Sequence, residues 1–350
     1  MKSLKVGIIG CGKIAQKAHI PAFKLIPGVD VYAVADINKN LLKKVARKYN
    51  IPHMFTDYKE LLKEEVIDLV SICTPTPTHA KIALDAINAG KHVLVEKPLA
   101  INAKDAFEVV KAAKENNVKL CCVFNYRYFP AVRRAKKVIE SGALGELVSV
   151  RGFTHTHFPV AWSRSTWFYY RGGVLYDFAP HLIDMLLWLC DVKPKSVYAV
   201  GGDFLKEAGF INYAQILIES DDKVILSADI SWLTGTLMFL IDVHGTGGHL
   251  LLDVRYNHLT EFHGVPIPLD YVRDFKDRMI SILHMFLQKT LFKGALAFYP
   301  QLIRDFVASI RMNRAPPISP ERAAYVVAVL EAAEKSLTKR EVIEINELIS

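Results

Sequence analysis

Hydrophobic positions along the chain follow two different periods. Apolar, β-rich runs at Leu4–Ile9, Val29–Ala35, Val66–Cys73, His92–Val95 and Lys119–Phe124 alternate with stretches at about 13–25, 38–49, 57–63, 77–89 and 103–116 that carry helical spacing. Strands alternating with helices of that length predict βαβ units and a parallel, doubly wound sheet. Near-continuous apolar runs such as Leu69–Cys73 fit strands covered on both faces. After about Asn125 the texture changes. Alternating runs at Leu147–Phe153, Ser196–Val200, Ala214–Glu219, Val224–Ser231 and Met238–His244 predict an open, mostly antiparallel sheet. Helical stretches at about 130–141 and 180–190 and a helix opening at Ser319-Pro320-Glu321-Arg322 predict helices on one face of it. The expected architecture is α/β, with one domain over 1–124 and a second over 125–350.

Composition adds little to this picture except through charge. At 350 residues, with 51% hydrophobic and 23% charged positions, the chain reads as a folded protein of two domains rather than a disordered one. Its net charge of +8 is uneven: residues 1–124 hold 19 Lys and Arg against 12 Asp and Glu, a balance of +7, and the remainder holds 25 against 24. A basic first domain suits an anionic cofactor, although several of these lysines lie on solvated helix faces. Cys11, Cys73, Cys121, Cys122 and Cys190 are scattered without metal-ligand spacing and read as buried thiols in a reducing compartment. Gly7, Gly10 and Gly12 interrupt any signal-like apolar core near Met1, so a cytoplasmic location is expected. No metal is expected, and no helix-turn-helix, zinc-finger or RNA-binding signature points to nucleic acid.

The first chemical signal is Val6–Ala15, read as strand, tight turn and helix start. Gly10 permits the turn, Gly12 lets backbone approach a pyrophosphate, and Ala15 allows close helix–strand packing. Lys13 and Ile14 open a helix whose free N–H groups and dipole favour the phosphates. Asp36, at the end of the second run, is placed to accept hydrogen bonds from the adenosine ribose and to repel a 2′-phosphate, which favours NAD over NADP. An N-cap role is the alternative for Asp36.

Two further stretches, Thr74-Pro75-Thr76-Pro77-Thr78-His79 and Gly90–Ala100 with its Glu96-Lys97-Pro98, join the glycine turn in an order that resembles the Gfo/Idh/MocA family of glucose–fructose oxidoreductase and inositol dehydrogenase. The resemblance runs over roughly residues 4–190. It implies a Rossmann domain followed by an α/β domain whose large open sheet makes oligomer contacts. It also implies that Thr74, Pro75, His79, Glu96, Lys97 and Asn125 line the cofactor, with Lys97 contacting the reacting hydroxyl. A lysine at the carboxyl end of a buried strand makes sense independently, since ligands of doubly wound sheets bind there.

Arg171–Asp184 is similar to the family's second signature, with Ala179 where a glycine is usual and Arg171 where a third glycine often stands. Pro180 suits a first helical turn, which puts His181 near a helix N-terminus, where the dipole favours neutral imidazole ready to accept a proton. Asp177 is expected to orient that ring or bind substrate, and Asp184 to be structural. In the stretch Asn125-Tyr126-Arg127 the resemblance puts Tyr126 and Arg127 on the substrate side. His155 and His157 alternate on a strand and read as substrate lining or surface. Trp162, Arg164, Trp167, Tyr169 and Tyr170 could stack on a sugar or nucleotide or pack in a core.

Together these predict an NAD-dependent dehydrogenase with Lys97, Asp177 and His181 catalytic, oxidising a secondary alcohol of a sugar, sugar nucleotide or cyclitol. Arg127, Arg164 and Arg171 lean the choice toward nucleotide-linked sugars. A catalytically silent NAD-binding regulator is the alternative. The apolar stretch Met279–Phe298 carries His284, Gln288, Lys289 and Lys293, too polar for a membrane span. It is expected to form a helix buried between the sheet and another subunit of a dimer or tetramer, with a membrane-surface helix as the alternative.

Overall fold

In the computed structural model, residues 3–158, 173–205, 209–263, 268–287 and 294–349 are described. They cluster into two units: Met1–Asn125 with Leu296–Val327, and Tyr126–Ala295 with Ala328–Ser350.

The first unit is built on a six-stranded parallel sheet, β1 (Leu4–Ile9), β2 (Val29–Ala35), β3 (His53–Phe55), β4 (Leu69–Ile72), β5 (His92–Val95) and β6 (Leu120–Cys122), in the order β3-β2-β1-β4-β5-β6. Crossovers are made by α1 (Ile20–Lys24), α2 (Lys39–Tyr49), α3 (Tyr58–Leu62), α4 (His79–Asn88) and α5 (Ala103–Glu115). Strands β4 and β6 are buried throughout, as expected of a sheet covered on both faces. Caps set the helix limits. The Asn38 side chain accepts from the N–H groups of Asn40 and Leu41, and Asn50 closes α2 in the left-handed region. The short edge strand β3 has no apolar run to announce it, because His53 and Met54 are exposed.

The second unit holds an eight-stranded sheet in the order β13-β12-β11-β7-β10-β9-β8-β14. Its strands are β7 (Leu147–His157), β8 (Pro194–Gly202), β9 (Tyr213–Ser220), β10 (Ile225–Ser231), β11 (Leu233–Gly245), β12 (Gly248–Asp253), β13 (His258–His263) and β14 (Ile343–Glu344). Only β7 and β10 run parallel, so the sheet is mixed but mostly antiparallel. Helices α6 (Pro130–Glu140), α7 (Val174–Asp177) and α8 (Ala179–Cys190) belong to the same unit. Along β7 the even positions Val150, Gly152, Thr154 and Thr156 are buried and the odd ones are not. Gly152 lies against Leu182 and Leu186, so α8 covers the even face, and any side chain at 152 would collide with Leu182.

Helix α9 (Pro268–Leu287) starts well before the expected Met279, and residues 288–293 of that stretch lie outside the described ones. The helix is placed against β13 by polar groups. Asp274 Oδ1 accepts from His258 Nε2 at 2.7 Å and from the Thr260 hydroxyl, and Arg278 Nη1 donates to Asp253 Oδ2 at 3.2 Å. Val272, Phe275, Met279, Leu283 and Phe286 fall on the opposite arc by helical spacing and are all more than half exposed. No described helix is long and apolar enough to cross a membrane. The remaining helices are α10 (Tyr299–Arg311), α11 (Pro320–Lys339) and α12 (Asn346–Ile349).

Candidate active site

Topology gathers the first group of residues. Gly10 and Asp36 follow β1 and β2, Thr74 and Pro75 follow β4, Glu96 and Lys97 follow β5, and Asn125 follows β6. All therefore stand at the carboxyl ends of parallel strands, and the strand order reverses between β1 and β4, where open α/β sheets bind ligands.

The glycine turn has the shape a dinucleotide needs. Gly10 has φ +94°, and a Cβ there would stand 2.7 Å from the Cys73 carbonyl oxygen, so only glycine fits. At Gly12 a Cβ would meet nothing within 4 Å, which leaves open space beside the backbone at the start of the Lys13–Ile14 helical turn. Asp36 is held by backbone: Oδ2 accepts from Cys11 N–H at 2.7 Å and Oδ1 from Asn38 N–H at 2.8 Å. Each carboxylate oxygen keeps a second lone pair for a ribose hydroxyl. Turn, cradle and anchored acid fit NAD. Burial, followed by the charge of Asp36, pushes the neighbouring Cys11 thiol up to about 12, so it stays protonated and unreactive.

Two residues expected against the cofactor are instead turned inward. His79 is almost fully buried, its Nδ1 2.8 Å from the Pro98 carbonyl and its Nε2 2.8 Å from the Thr74 carbonyl. Burial lowers its pKa, so the ring is neutral and donates to one carbonyl at a time. It ties the loop after β4 to the loop after β5. Glu96 is also buried, and its Oε1 accepts from His19 Nε2 at 2.7 Å and from the Tyr299 hydroxyl at 2.9 Å. Lys97, between buried Glu96 and Pro98, is partly exposed, and the Lys97–Pro98 peptide is cis.

His19 is the residue sequence reasoning missed. It ends a π-helical turn, Ala15–His19, that leads into α1. The signal was its spacing, since Ala15, His19 and Ala22 share one helical face and all three are buried. A polar residue on such a face requires partners inside the core.

In the second unit, Pro180 lies in the first turn of α8 and His181 in the turn's third position, both buried. Asp177 ends α7, immediately before that helix, and is also buried. The Tyr126 ring lies 4.5 Å from the His181 ring, between centroids, and packs on Phe129 and Phe239. Burial, then the charge of Asp177, pushes the Tyr126 phenol up to about 12, so it remains a neutral hydroxyl.

Arg127 was expected toward the substrate, but its guanidinium is committed elsewhere. Nε and Nη2 clasp Asp184 at 2.7 and 2.5 Å, with side-chain exposures of 6% and 1%, and the Trp188 ring lies 5.0 Å from the guanidinium carbon. This pair pins the 3₁₀ turn Asn125–Tyr128 to α8. The structural role expected for Asp184 is the one observed. His155, expected as substrate lining or surface, occupies an odd position of β7, on the face away from α8. There it bonds Asp229 at 2.8 Å, beside Tyr213 and Gln215. The period-two rule alone separates it from His181. Trp162, Arg164, Trp167, Tyr169, Tyr170 and Arg171 lie outside the described residues. Among the described residues no His, Cys, Asp and Glu cluster is arranged to hold a metal.

Comparison with known proteins agrees with this geometry. Residues 4–124 match the profile described as the GFO/IDH/MocA oxidoreductase family, NAD-binding Rossmann fold, and residues 132–251 match the GFO/IDH/MocA C-terminal domain. The chain is 24% identical to myo-inositol 2-dehydrogenase of Thermotoga maritima, over 99% of this chain and 100% of that protein. It is 36% identical to levoglucosan dehydrogenase of Pseudarthrobacter phenanthrenivorans, over 54% of this chain and 52% of that one. The crystal structure of the WlbA dehydrogenase from Bordetella pertussis, in complex with NADH and UDP-GlcNAcA, superposes with a TM-score of 0.84 at 21% identity, covering 98% of each chain.

Proposed function

The chain belongs to the GFO/IDH/MocA family of NAD-dependent oxidoreductases, and on that premise we propose that it oxidises a secondary hydroxyl of a free sugar or cyclitol. The observation that carries this reading is Lys97 at the carboxyl end of β5, in the same sheet whose β1 turn and Asp36 fit NAD. Bound nicotinamide supplies the hydride acceptor. Lys97 holds and polarises the reacting hydroxyl oxygen through its ammonium donors. His181, in the first turn of α8, accepts the hydroxyl proton as the hydride leaves the carbon for the nicotinamide, giving a ketone. Asp177 orients His181 or a substrate hydroxyl, and Tyr126 presents a neutral phenol beside the imidazole ring. Asp36 favours NAD over NADP.

Free polyols are preferred to nucleotide-linked sugars because Arg127, a main reason for the nucleotide reading, is occupied by Asp184. The names of the inositol and levoglucosan dehydrogenases point the same way. Purified protein with NAD and a panel of inositols, levoglucosan, free sugars and UDP-sugars, followed by NADH absorbance, tests the assignment. Turnover confined to UDP-sugars overturns it. The exposed apolar arc of α9 further supports self-association. Light scattering should show an oligomer that Phe275→Asp dissociates, and a native monomer rules this out.

A further inference from the structure

The most elaborate buried polar cluster of the first unit does not face the cofactor turn. It comprises His19, Ser71, Glu96 and Tyr299, contributed by the π-turn, β4, the end of β5 and the start of α10. His19 is fully buried, with Nδ1 2.8 Å from the Ser71 hydroxyl and Nε2 2.7 Å from Glu96 Oε1. The Tyr299 ring meets His19 edge-on at 5.3 Å while its hydroxyl donates to the same Glu96 oxygen. Such a pair is costly to desolvate and is no default means of stabilising a core. Its place immediately before Lys97 suggests what it does instead.

We propose that His19 and Tyr299 are positioning residues for Lys97, holding Glu96 as a buried carboxylate that sets the charge beside the lysine and fixes the strand end that carries it. This rests on the reading of Lys97 given above only for its kinetic consequence. Other observations are consistent with it. Burial by itself disfavours both charges, yet His19 is pushed up to about 10 by negative charge on the Cys73 sulfur and by Glu96. Glu96 is held below the usual carboxylate range, against its burial, by His19, Lys97 and the Tyr299 hydroxyl. Glu96 thus favours its ionised form despite its burial. Glu96 directly precedes Lys97 at the end of β5, whereas His19 reaches the lysine only through Glu96, so Glu96 is the member of the pair next to the lysine. The other titratable neighbours are Cys73, which faces His19, and His79, which senses both Glu96 and Lys97. The Cys122 thiol sits 3.9 Å from the Glu96 carbonyl.

The two members of the pair should act on Lys97 with opposite sign. Removing the carboxylate removes an attraction for the ammonium, whereas removing the imidazolium leaves the carboxylate uncompensated. Competitive acetylation with acetic anhydride across alkaline pH, read at Lys97 by peptide mass spectrometry, follows that titration without substrate or cofactor. Glu96→Gln should make Lys97 react at lower pH, His19→Gln should make it react at higher pH, and Tyr299→Phe should act in the same direction as His19→Gln but more weakly. Glu96→Asp should restore the native midpoint, so the two Glu96 variants carry the test if His19→Gln does not fold. With NAD and myo-inositol, His19→Gln should lower kcat about tenfold, with KM for NAD unchanged, and should have no further effect in a Lys97→Ala background. Shifts of the same sign, or none, overturn the proposal. Full turnover by Lys97→Ala would instead overturn the role given to Lys97, leaving the labelling result to decide the coupling.

Discussion

The two units treat their buried polar residues in contrasting ways. In the first, a parallel sheet delivers residues from five different strand ends to one edge, and His19, Glu96, His79 and Tyr299 are bonded to one another or to carbonyls. In the second, Asp177 and His181 sit buried at one helix start, and the ion pair Arg127–Asp184 ties the neighbouring 3₁₀ turn to that helix. The first arrangement is dictated by topology, the second by which side chains find each other. The placement of candidate residues in the first unit can therefore be read from position along the chain, whereas in the second it depends on partners.

The sharpest way to test the contrast is to remove the acting group on each side. Lys97→Ala and His181→Ala should each lower turnover by about 10²–10⁴-fold, as loss of a proton-handling group does, with NAD affinity nearly unchanged by fluorescence titration. Near-native turnover in either variant removes that residue from the mechanism. Arg127→Leu should act on stability instead, costing about 3–5 kcal/mol in denaturant unfolding because Asp184 is left buried without its cation. A large KM effect with unaltered stability would return Arg127 to the substrate.

The buried pair of the first unit should also shape stability against pH. His19 is raised from 6.5 to about 10 by folding, so its contribution is fully present below 6.5, declines as pH rises through this interval and is gone above about 10. Melting temperatures measured between neutral pH and about 10 should fall, and His19→Gln should flatten that decline; an unchanged slope means His19 is not charged in the fold. The smallest effect is expected at Asp36, where Ala should narrow the preference for NAD over NADP without abolishing binding of either. Tighter NADP binding by the native protein would contradict the assignment of this residue.

The parallel sheet, the glycine turn and the strand-end lysine were legible because each depends on local sequence: apolar runs, a glycine where only glycine fits, and a proline after Lys97. Glu96 and His79 were expected at the cofactor edge from the family resemblance; their side chains are buried and bonded to His19, Tyr299 and loop carbonyls, because the direction of a side chain at a strand end is decided by the groups packed behind it. His155, expected as substrate lining or surface, could not be assigned to a face from sequence for a related reason. A histidine two positions from another marks one face of a strand, and only the packing of Gly152 under α8 tells which face is inside. Strand β14, two residues long, and the pairing of His19 with Glu96 depend on contacts between residues far apart in the chain, which no local pattern reports.

Tyr299 reaches Glu96 across 203 positions of sequence. During synthesis, the parallel sheet, complete by Cys122, can form long before Tyr299 leaves the ribosome. Until then His19 and Glu96 lack the hydroxyl and ring that cover them, and seven of the eight strands of the mixed sheet, β7 to β13, are translated in the interval. The nucleotide-binding half is thus the first to begin folding and among the last to finish. A fragment ending at Asn125 should be correspondingly weak, a consequence of chain order rather than of any single missing contact.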